Sequence, residues 1–417
     1  MAIMSLVQAK ADSDQVRRQN RGLVLECLRG AGPIARVELG RRTALSPASI
    51  TSITGDLIAE GLIREADAED RLKSGPGRPQ VRLALDPHAA LVMALRISIN
   101  RAEFMLAHYD GSPAASQAIE LPSRGVAAED YCRRLSELAR GFLDANGLKA
   151  GDVLRAGVAV QGIADARHGT ITWSPAFTSR NVPIGAALEE AIGAPVSIAN
   201  DTNLMARVLA RSTEAGQTAL VIFVGYGVGA GIIIDGKVYD GPTGAAAEFG
   251  HMNHVPGGRR CRCGRNGCIE AYAADYAILR SYRNETGDNG LAHETVDPAI
   301  MIELQAKADA GDVRAHDAFR EAGQALGYGI GRAVALLDAR KIVIAGPGAR
   351  AFDQLQPGIG EGFASSLPPA LAEGVAIEVA AAGQDMIAEG LLSQIFQDAD
   401  RELLQRQPRG VSEARSL

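Results

Sequence analysis

The sequence predicts an α/β chain in which a small helical head precedes a two-lobed body. Three observations carry that reading. Residues 23–61 hold apolar positions at helical spacing in three short blocks, and 61–86 then read as strand, loop and strand. From residue 89 onward β-rich runs alternate with helical ones, and the alternation starts again after residue 200. Small residues abound (47 Gly) while aromatics make up only 4 %, a usage that suits closely packed α/β layers.

At 417 residues the chain is long for one core, and two to three domains are expected. Hydrophobic residues at 47 % are ample for buried cores. The opening "MAIMSLVQAKADSDQ" lacks a basic stretch followed by a long apolar run, so no export signal is expected. The uncharged stretch 215–234 is long enough to span a membrane, but Gly225, Gly227, Gly229 and Gly231 at alternate positions read instead as two buried strands around a glycine-rich turn. The expectation is a cytoplasmic protein with no membrane partner. Charge is uneven: residues 1–85 hold 13 Lys and Arg against 10 Asp and Glu, while the remainder holds 30 against 39. A basic head on an acidic body hints at nucleic acid.

In the head, Leu23, Val24, Cys27 and Leu28 form the first block, ended by Gly30 and Gly32-Pro33. A second block covers 35–42. After a short turn, Ser46-Pro47 reads as an N-cap with proline at the first helical position, and Ile50, Ile53, Leu57 and Ile58 continue to Gly61. Two short helices joined by such a turn make a helix-turn-helix pattern, with Ser46 and Pro47 at the mouth of the second. Its other face carries Ser49, Thr51, Ser52 and Thr54, small donors able to approach base edges and phosphates; a bundle built for protein contacts would look the same. The strand-loop-strand segment suggests a wing whose tip, "KSGPGRP", sets Lys73 and Arg78 among glycines and prolines. An arginine there suits a narrow minor groove, and a flexible linker is the alternative.

In the body, Cys27 and Cys132 sit within helical patterns, but Cys261, Cys263 and Cys268 lie on one tight, glycine-turned knuckle. Clustered thiolates repel one another unless a cation joins them, and a tetrahedral zinc site needs a fourth ligand; His251 and His254 both lie just upstream. Arg259, Arg260, Arg262 and Arg265 would alternatively lower thiol pKa values for redox work. With no fifth ligand evident, the metal is expected to be closed in and structural, stapling the loop between Glu248 and Glu270.

The segments "GAAAEFGHMN" and "CRCGRNGCIEAY" resemble the signature of the ROK family, which contains bacterial sugar kinases and sugar-responsive repressors, the N-acetylglucosamine and xylose types among them. The likeness runs from about residue 12 to 400. It implies a winged helix-turn-helix (12–82), carried by the repressors and lacking in the kinases, followed by a duplicated actin-like (ribonuclease H-like) two-lobed ROK domain. Its first lobe would cover 86–198 with a C-terminal helix at about 386–406, and its second 199–385 with the knuckle. The resemblance selects His251 over His254, so that His251, Cys261, Cys263 and Cys268 hold structural zinc. It also implies that Asn200, Asp201, Glu248, His251 and Glu270 meet sugar hydroxyls. Carboxylates and an amide suit polyol recognition, although Asp201 by itself would read as a helix cap.

The departures from the family pattern matter as much. Where the kinases have D-x-G-G-T, this chain has Arg96, Ile97, Ser98, Ile99 and Asn100; a cation replaces the metal-directing carboxylate, and a stiff β-branched side chain replaces a glycine. Tyr226 occupies the centre of the second phosphate loop, and Pro347 removes an amide from the third. Ala176 replaces a sugar-contacting asparagine, and Arg180, near a usual tryptophan position, reads first as a surface charge and second as a contact for an anionic ligand. Trp173, the only tryptophan, is expected near the cleft. The sequence therefore predicts a regulator, expected to repress, that binds operator DNA through Ser46, Pro47, Ser49, Thr51, Ser52 and Arg78. It would sense a sugar or sugar phosphate, with no catalytic residue (Asp201 is a vestigial base), and act as a homodimer or dimer of dimers. A sugar kinase with an added DNA-binding head is the alternative, and a protein-interaction module a third.

Overall fold

The computed structural model describes residues 13–66, 81–214, 216–285, 296–380 and 385–405. The head begins with α1 (Ser13–Ala31), whose Val24, Leu25 and Leu28 are buried. Leu23, expected on that face, is 40 % exposed because Leu25 takes the inward position. The short β1 (Ile34–Ala35) leads into α2 (Arg36–Thr43), and Ala44 in the left-handed conformation turns the chain toward α3 (Pro47–Ala59). Ser46 caps α3 by accepting the Ser49 amide at 3.2 Å, with Pro47 in the first turn where a missing N–H costs nothing. Strands β2 (Ile63–Glu65) and β3 (Arg82–Leu85) pair antiparallel, and β1 joins the other edge of β3. This is the winged helix-turn-helix arrangement; its expected tip, with Lys73 and Arg78, lies outside the described residues.

The first lobe is built on β4 (Leu91–Ser98), β5 (Arg101–His108) and β6 (Pro113–Glu120), an antiparallel meander. After α4 (Ala128–Ala145) comes β7 (Arg155–Val160), parallel to β4. A small hairpin, β8 (Ile163–Asp165) with β9 (Thr170–Trp173), precedes α5 (Ile184–Ile192), and β10 (Val196–Asn200) closes the sheet parallel to β7. Helix α6 (Asp201–Ala210) connects to the second lobe, where β11 (Thr218–Val224), β12 (Val228–Ile234) and β13 (Lys237–Val238) form another antiparallel meander. There follow α7 (Glu270–Ala273), α8 (Asp275–Tyr282), α9 (Pro298–Asp309) and α10 (Val313–Leu337). Strand β14 (Lys341–Ala345) pairs parallel with β11; then come α11 (Phe352–Ser366), α12 (Pro369–Ala372), β15 (Ala376–Val379) parallel to β14, and α13 (Met386–Gln405).

The two sheets run β6-β5-β4-β7-β10 and β13-β12-β11-β14-β15. In each, the order is third, second, first, fourth and fifth strand of that sheet in chain order, so the body is one topology used twice. The alternate glycines foreseen around residue 227 have a packing reason. A Cβ at Gly229 or Gly231 would lie 2.5 Å from Thr202 Oγ1 or 2.6 Å from Ala206 Cβ, so α6 rests directly on β12.

Helix α13 packs against β4, β7 and α6, and its far part meets α1 of the head. Close helix approach is enforced at Gly390, where a Cβ would meet Leu204 O at 2.0 Å. One continuous apolar cluster runs from Val24, Leu39 and Leu57 of the head through Tyr109 and Phe396 to Leu204 and Phe223 of the body. A polar clamp sits in it. The Arg29 guanidinium donates to both Asp400 carboxylate oxygens (2.9 and 3.1 Å) and to Tyr109 O, and lies over the Tyr109 and Phe396 rings. The Tyr109 hydroxyl also donates to Asp400. Each charge is neutralised and hydrogen-bonded where it is buried, which makes burial tolerable.

Candidate functional site

Between the lobes lies a cleft lined from both, by Asn200 and Asp201 on one side and by Tyr226, Glu248 and Glu270 on the other. Its floor is the junction of β10 and α6. The Asn200 side chain caps α6, its Oδ1 accepting the Thr202 and Asn203 amides at 2.8 and 3.0 Å, while its Nδ2 donates to Gly162 O at 2.8 Å. The cap is thus Asn200 rather than Asp201, whose carboxylate is left to face the cleft. Gly162 (φ 93°) must be glycine, since a Cβ there would lie 2.4 Å from Trp173 O.

Asp201 is almost fully buried. Its Oδ1 accepts the Thr202 amide at 2.8 Å, and its Oδ2 accepts the Tyr226 hydroxyl at 2.7 Å. Burial pushes its carboxyl above the usual range, with the Tyr226 hydrogen bond and the Arg96 charge acting against that. Tyr226 itself is raised well above the ordinary phenol by burial and by the Asp201 charge. Glu248 and Glu270 complete an acidic wall. Glu248 is raised by burial, against the nearby His251, and lies 3.8 Å from His251 Nε2. Glu270, at the start of α7, accepts the Val228 amide at 3.3 Å. Residues 200, 201, 248, 251 and 270, expected to act together, all line this one cleft.

Behind it, the donor atoms of His251, Cys261, Cys263 and Cys268 lie within 4.8 Å of one another. His251 Nδ1 is 3.6 Å from Cys261 Sγ, and the Cys263 and Cys268 sulfurs are 3.7 Å apart. A tetrahedral ion with metal–sulfur bonds of about 2.3 Å sets its sulfur ligands roughly 3.8 Å apart, so the four donors fit such an ion. Hydrogen bonding from Cys261 pulls the Cys263 thiol well down despite burial, and His251 adds to the effect, so the set contains a ready thiolate. His254 takes no part; its ring packs against Tyr272 and Tyr328.

Among the cleft residues that the sequence did not mark as contacts, Gln161, Pro175 and Arg262 stand out. Gln161 follows β7, and its Oε1 is buried without a hydrogen-bond partner. Pro175 contributes the wall beside buried Ala176. Arg262 reaches from the knuckle to donate to Tyr226 O while lying over the Tyr276 ring. Trp173 lines the cleft as expected, its ring edge-on to His251 at 5.2 Å between centroids. Arg180 is exposed and does not line the cleft. In the head, Ser46, Pro47, Thr51 and Ser52 are exposed and Ser49 half-buried. Thr54, expected on the same polar face, is fully buried: its hydroxyl donates to Ile50 O at 2.8 Å and accepts from Arg36 Nε at 3.0 Å. It belongs to the head's core because it falls on the same face of α3 as Ile50, Ile53 and Leu57, with Arg36 of α2 satisfying its hydroxyl there.

A model of the ROK family matches residues 94–396. The chain is 28 % identical over 372 residues to the DNA-binding transcriptional repressor Mlc of Escherichia coli K12, covering 88 % of this chain and 90 % of that one. The crystal structure of a ROK family transcriptional regulator, a homolog of E. coli Mlc, superposes with a TM-score of 0.73 at 25 % identity, covering 94 % of this chain and 100 % of that one. A ROK hexokinase from Thermus thermophilus gives a TM-score of 0.54 at 26 % identity, covering 74 % of this chain and 97 % of its own.

Proposed function

The chain belongs to the ROK family, and from that premise we propose that it is a sugar-responsive transcriptional regulator that represses by binding operator DNA. The observation that carries this reading is the physical continuity between its two ends. The helix-turn-helix head shares one apolar cluster with the body, and α1 meets α13, which meets the α6 that begins with Asp201 in the cleft. A ligand that shifts α6 has a short, densely packed route to the head. By differential affinity for two arrangements of the lobes it would change DNA binding.

In this reading Ser46, Pro47, Ser49, Thr51 and Ser52 approach the major groove, and Arg78, outside the described residues, reaches the minor groove from the wing. None of the five is charged, so direct readout would fall to hydroxyls and phosphate attraction to arginines such as Arg41 and Arg42. Two half-sites call for a homodimer or a dimer of dimers. Asn200, Asp201, Glu248, His251 and Glu270 hold a sugar or sugar phosphate. Zinc, when bound by His251, Cys261, Cys263 and Cys268, supplies a fixed charge and a fixed loop rather than chemistry on the ligand. His251 then offers Nδ1 to the metal and keeps Nε2 on the cleft side, near Glu248.

Kinase chemistry is disfavoured by Tyr226, whose hydroxyl already sits on the carboxylate that would serve as base. No membrane-length apolar helix occurs among the described residues, which suits the expected cytoplasmic location. Fluorescence anisotropy on DNA tiled across the region upstream of the gene, with and without a panel of sugars, tests the reading. Tight binding to one fragment that one sugar changes supports it. Absence of any salt-sensitive DNA affinity would return attention to protein partners for the head.

A further inference from the structure

The cleft is rich in acceptors and poor in free donors. Asp201, Glu248 and Glu270 present carboxylates to it, and Gln161 adds a buried carbonyl oxygen with no hydrogen-bond partner among the described residues. Gln161 is itself 7 % exposed, and its orphaned Oε1 is an acceptor awaiting an O–H or N–H. Arg262, the one guanidinium among the described residues that line the cleft, is held by Tyr226 O and the Tyr276 ring. Arg96, the other nearby cation, lines a separate cavity with Glu103 and Asp385, 3.7 Å from the latter.

Tyr226 sets the boundary of this space. Its hydroxyl donates to Asp201 Oδ2, and its ring leans on Phe223 with 4.7 Å between centroids. The hairpin carrying it is tied down on both sides: Arg262 grips its carbonyl, and the Asp275 amide donates to Gly225 O at 2.8 Å. A ligand group extending past Asp201 would have to displace a half-buried, hydrogen-bonded ring.

Resting on the sugar reading of the cleft, we infer that Tyr226 and Gln161 make this a site for an uncharged polyol and close it to the phosphate ester of the same sugar. A neutral sugar brings several O–H donors, which the carboxylates and Gln161 Oε1 require. A phosphate brings acceptors and negative charge, and among the described residues that line the cavity it would meet three carboxylates, with Arg262 held by Tyr226 O and His251 grouped with the knuckle cysteines. The polar groups left unpaired and the like-charge contact together set the discrimination at about 100-fold or more.

Trp173, the only tryptophan, lies in the cleft, so its fluorescence reads binding to the full-length, zinc-loaded protein. Glucose, N-acetylglucosamine and xylose would each be titrated beside the ester phosphorylated on the terminal carbon, with calorimetry as a second readout. The expected result is that at least one free sugar binds and its ester binds about 100-fold more weakly or not at all. Tyr226→Thr should narrow that gap by about 10-fold, and Tyr226→Phe, which keeps the ring, should preserve most of it. An ester that binds the wild-type protein as tightly as its parent sugar overturns the inference while leaving the sugar reading intact. Failure of every sugar and every ester to bind overturns both. The wild-type comparison decides the matter even if Tyr226→Thr does not fold.

Discussion

The hairpins that open the two sheets stand in equivalent places and have taken different roles. In the first lobe the turn Ile99–Asn100 folds back on its own lobe. Ile99 packs toward the core beneath it, and Asn100 (φ 57°) exchanges hydrogen bonds with Ser123, its amide donating to Ser123 Oγ and its Oδ1 accepting the Ser123 amide, both at 3.0 Å. No residue of that turn lines the cleft. In the second lobe the turn Gly225–Gly227 faces the cleft and delivers Tyr226 to Asp201. The scaffold is the same because strand order is held by long buried runs, whereas a hairpin tip is decided by one or two side chains. Tips therefore diverge while sheets do not.

The comparison would be broken most severely by altering the cluster of His251, Cys261, Cys263 and Cys268, which belongs to the second lobe alone. Cys263→Ser should lose one equivalent of zinc by elemental analysis and lower stability by several kcal/mol, on the order expected when a structural site is dismantled. Unchanged metal content would sink the ligand set.

Next in size is Asp275, whose backbone amide holds the second hairpin. Burial raises Asp275 to about 6, against the charges of Arg350 and Arg262. The folded state therefore binds this proton more tightly than the unfolded chain, and stability falls as pH rises from about 4 through about 6, by up to ~3 kcal/mol. Asp275→Asn should remove that slope from urea midpoints measured across the window; an unaltered slope would assign it to other groups.

A smaller change separates the two turns directly. Asn100→Ala should cost about 1–2 kcal/mol, through the left-handed backbone and the lost Ser123 bond, with sugar affinity unchanged. A tenfold change in sugar affinity would show that the first hairpin reaches the ligand after all. Smallest of all, Thr54→Val should cost about 1 kcal/mol in a melt and leave operator affinity as it was. Weakened DNA binding by a fully folded variant would restore Thr54 to the polar face.

How much of this was legible in the sequence depended on distance along the chain. The Ser46 cap, the wing strands β2 and β3 and the four metal donors arise within short segments, where local spacing fixes what meets. The helical period of α3 puts Thr54 on the stripe of Ile50, Ile53 and Leu57; its polar side chain argued for the other face, and Arg36 supplies the partner that lets it be buried. The choice between Asn200 and Asp201 as cap turned on one residue of register. The Tyr226–Asp201 bond and the orphaned Gln161 oxygen need two lobes brought together. The Arg29–Asp400 clamp, joining residues 371 positions apart, carries no local trace at all.

That clamp also has a consequence for the order of events at the ribosome. Synthesis at about 5–20 residues per second delivers Asp400 roughly 20–75 s after Arg29. Throughout that interval the head exists without the surface on which α1 will rest, and its apolar residues must wait or find other cover. The support on which α1 rests is thus complete only once α13 has been made, and a chain stopped before it would carry a head without that surface.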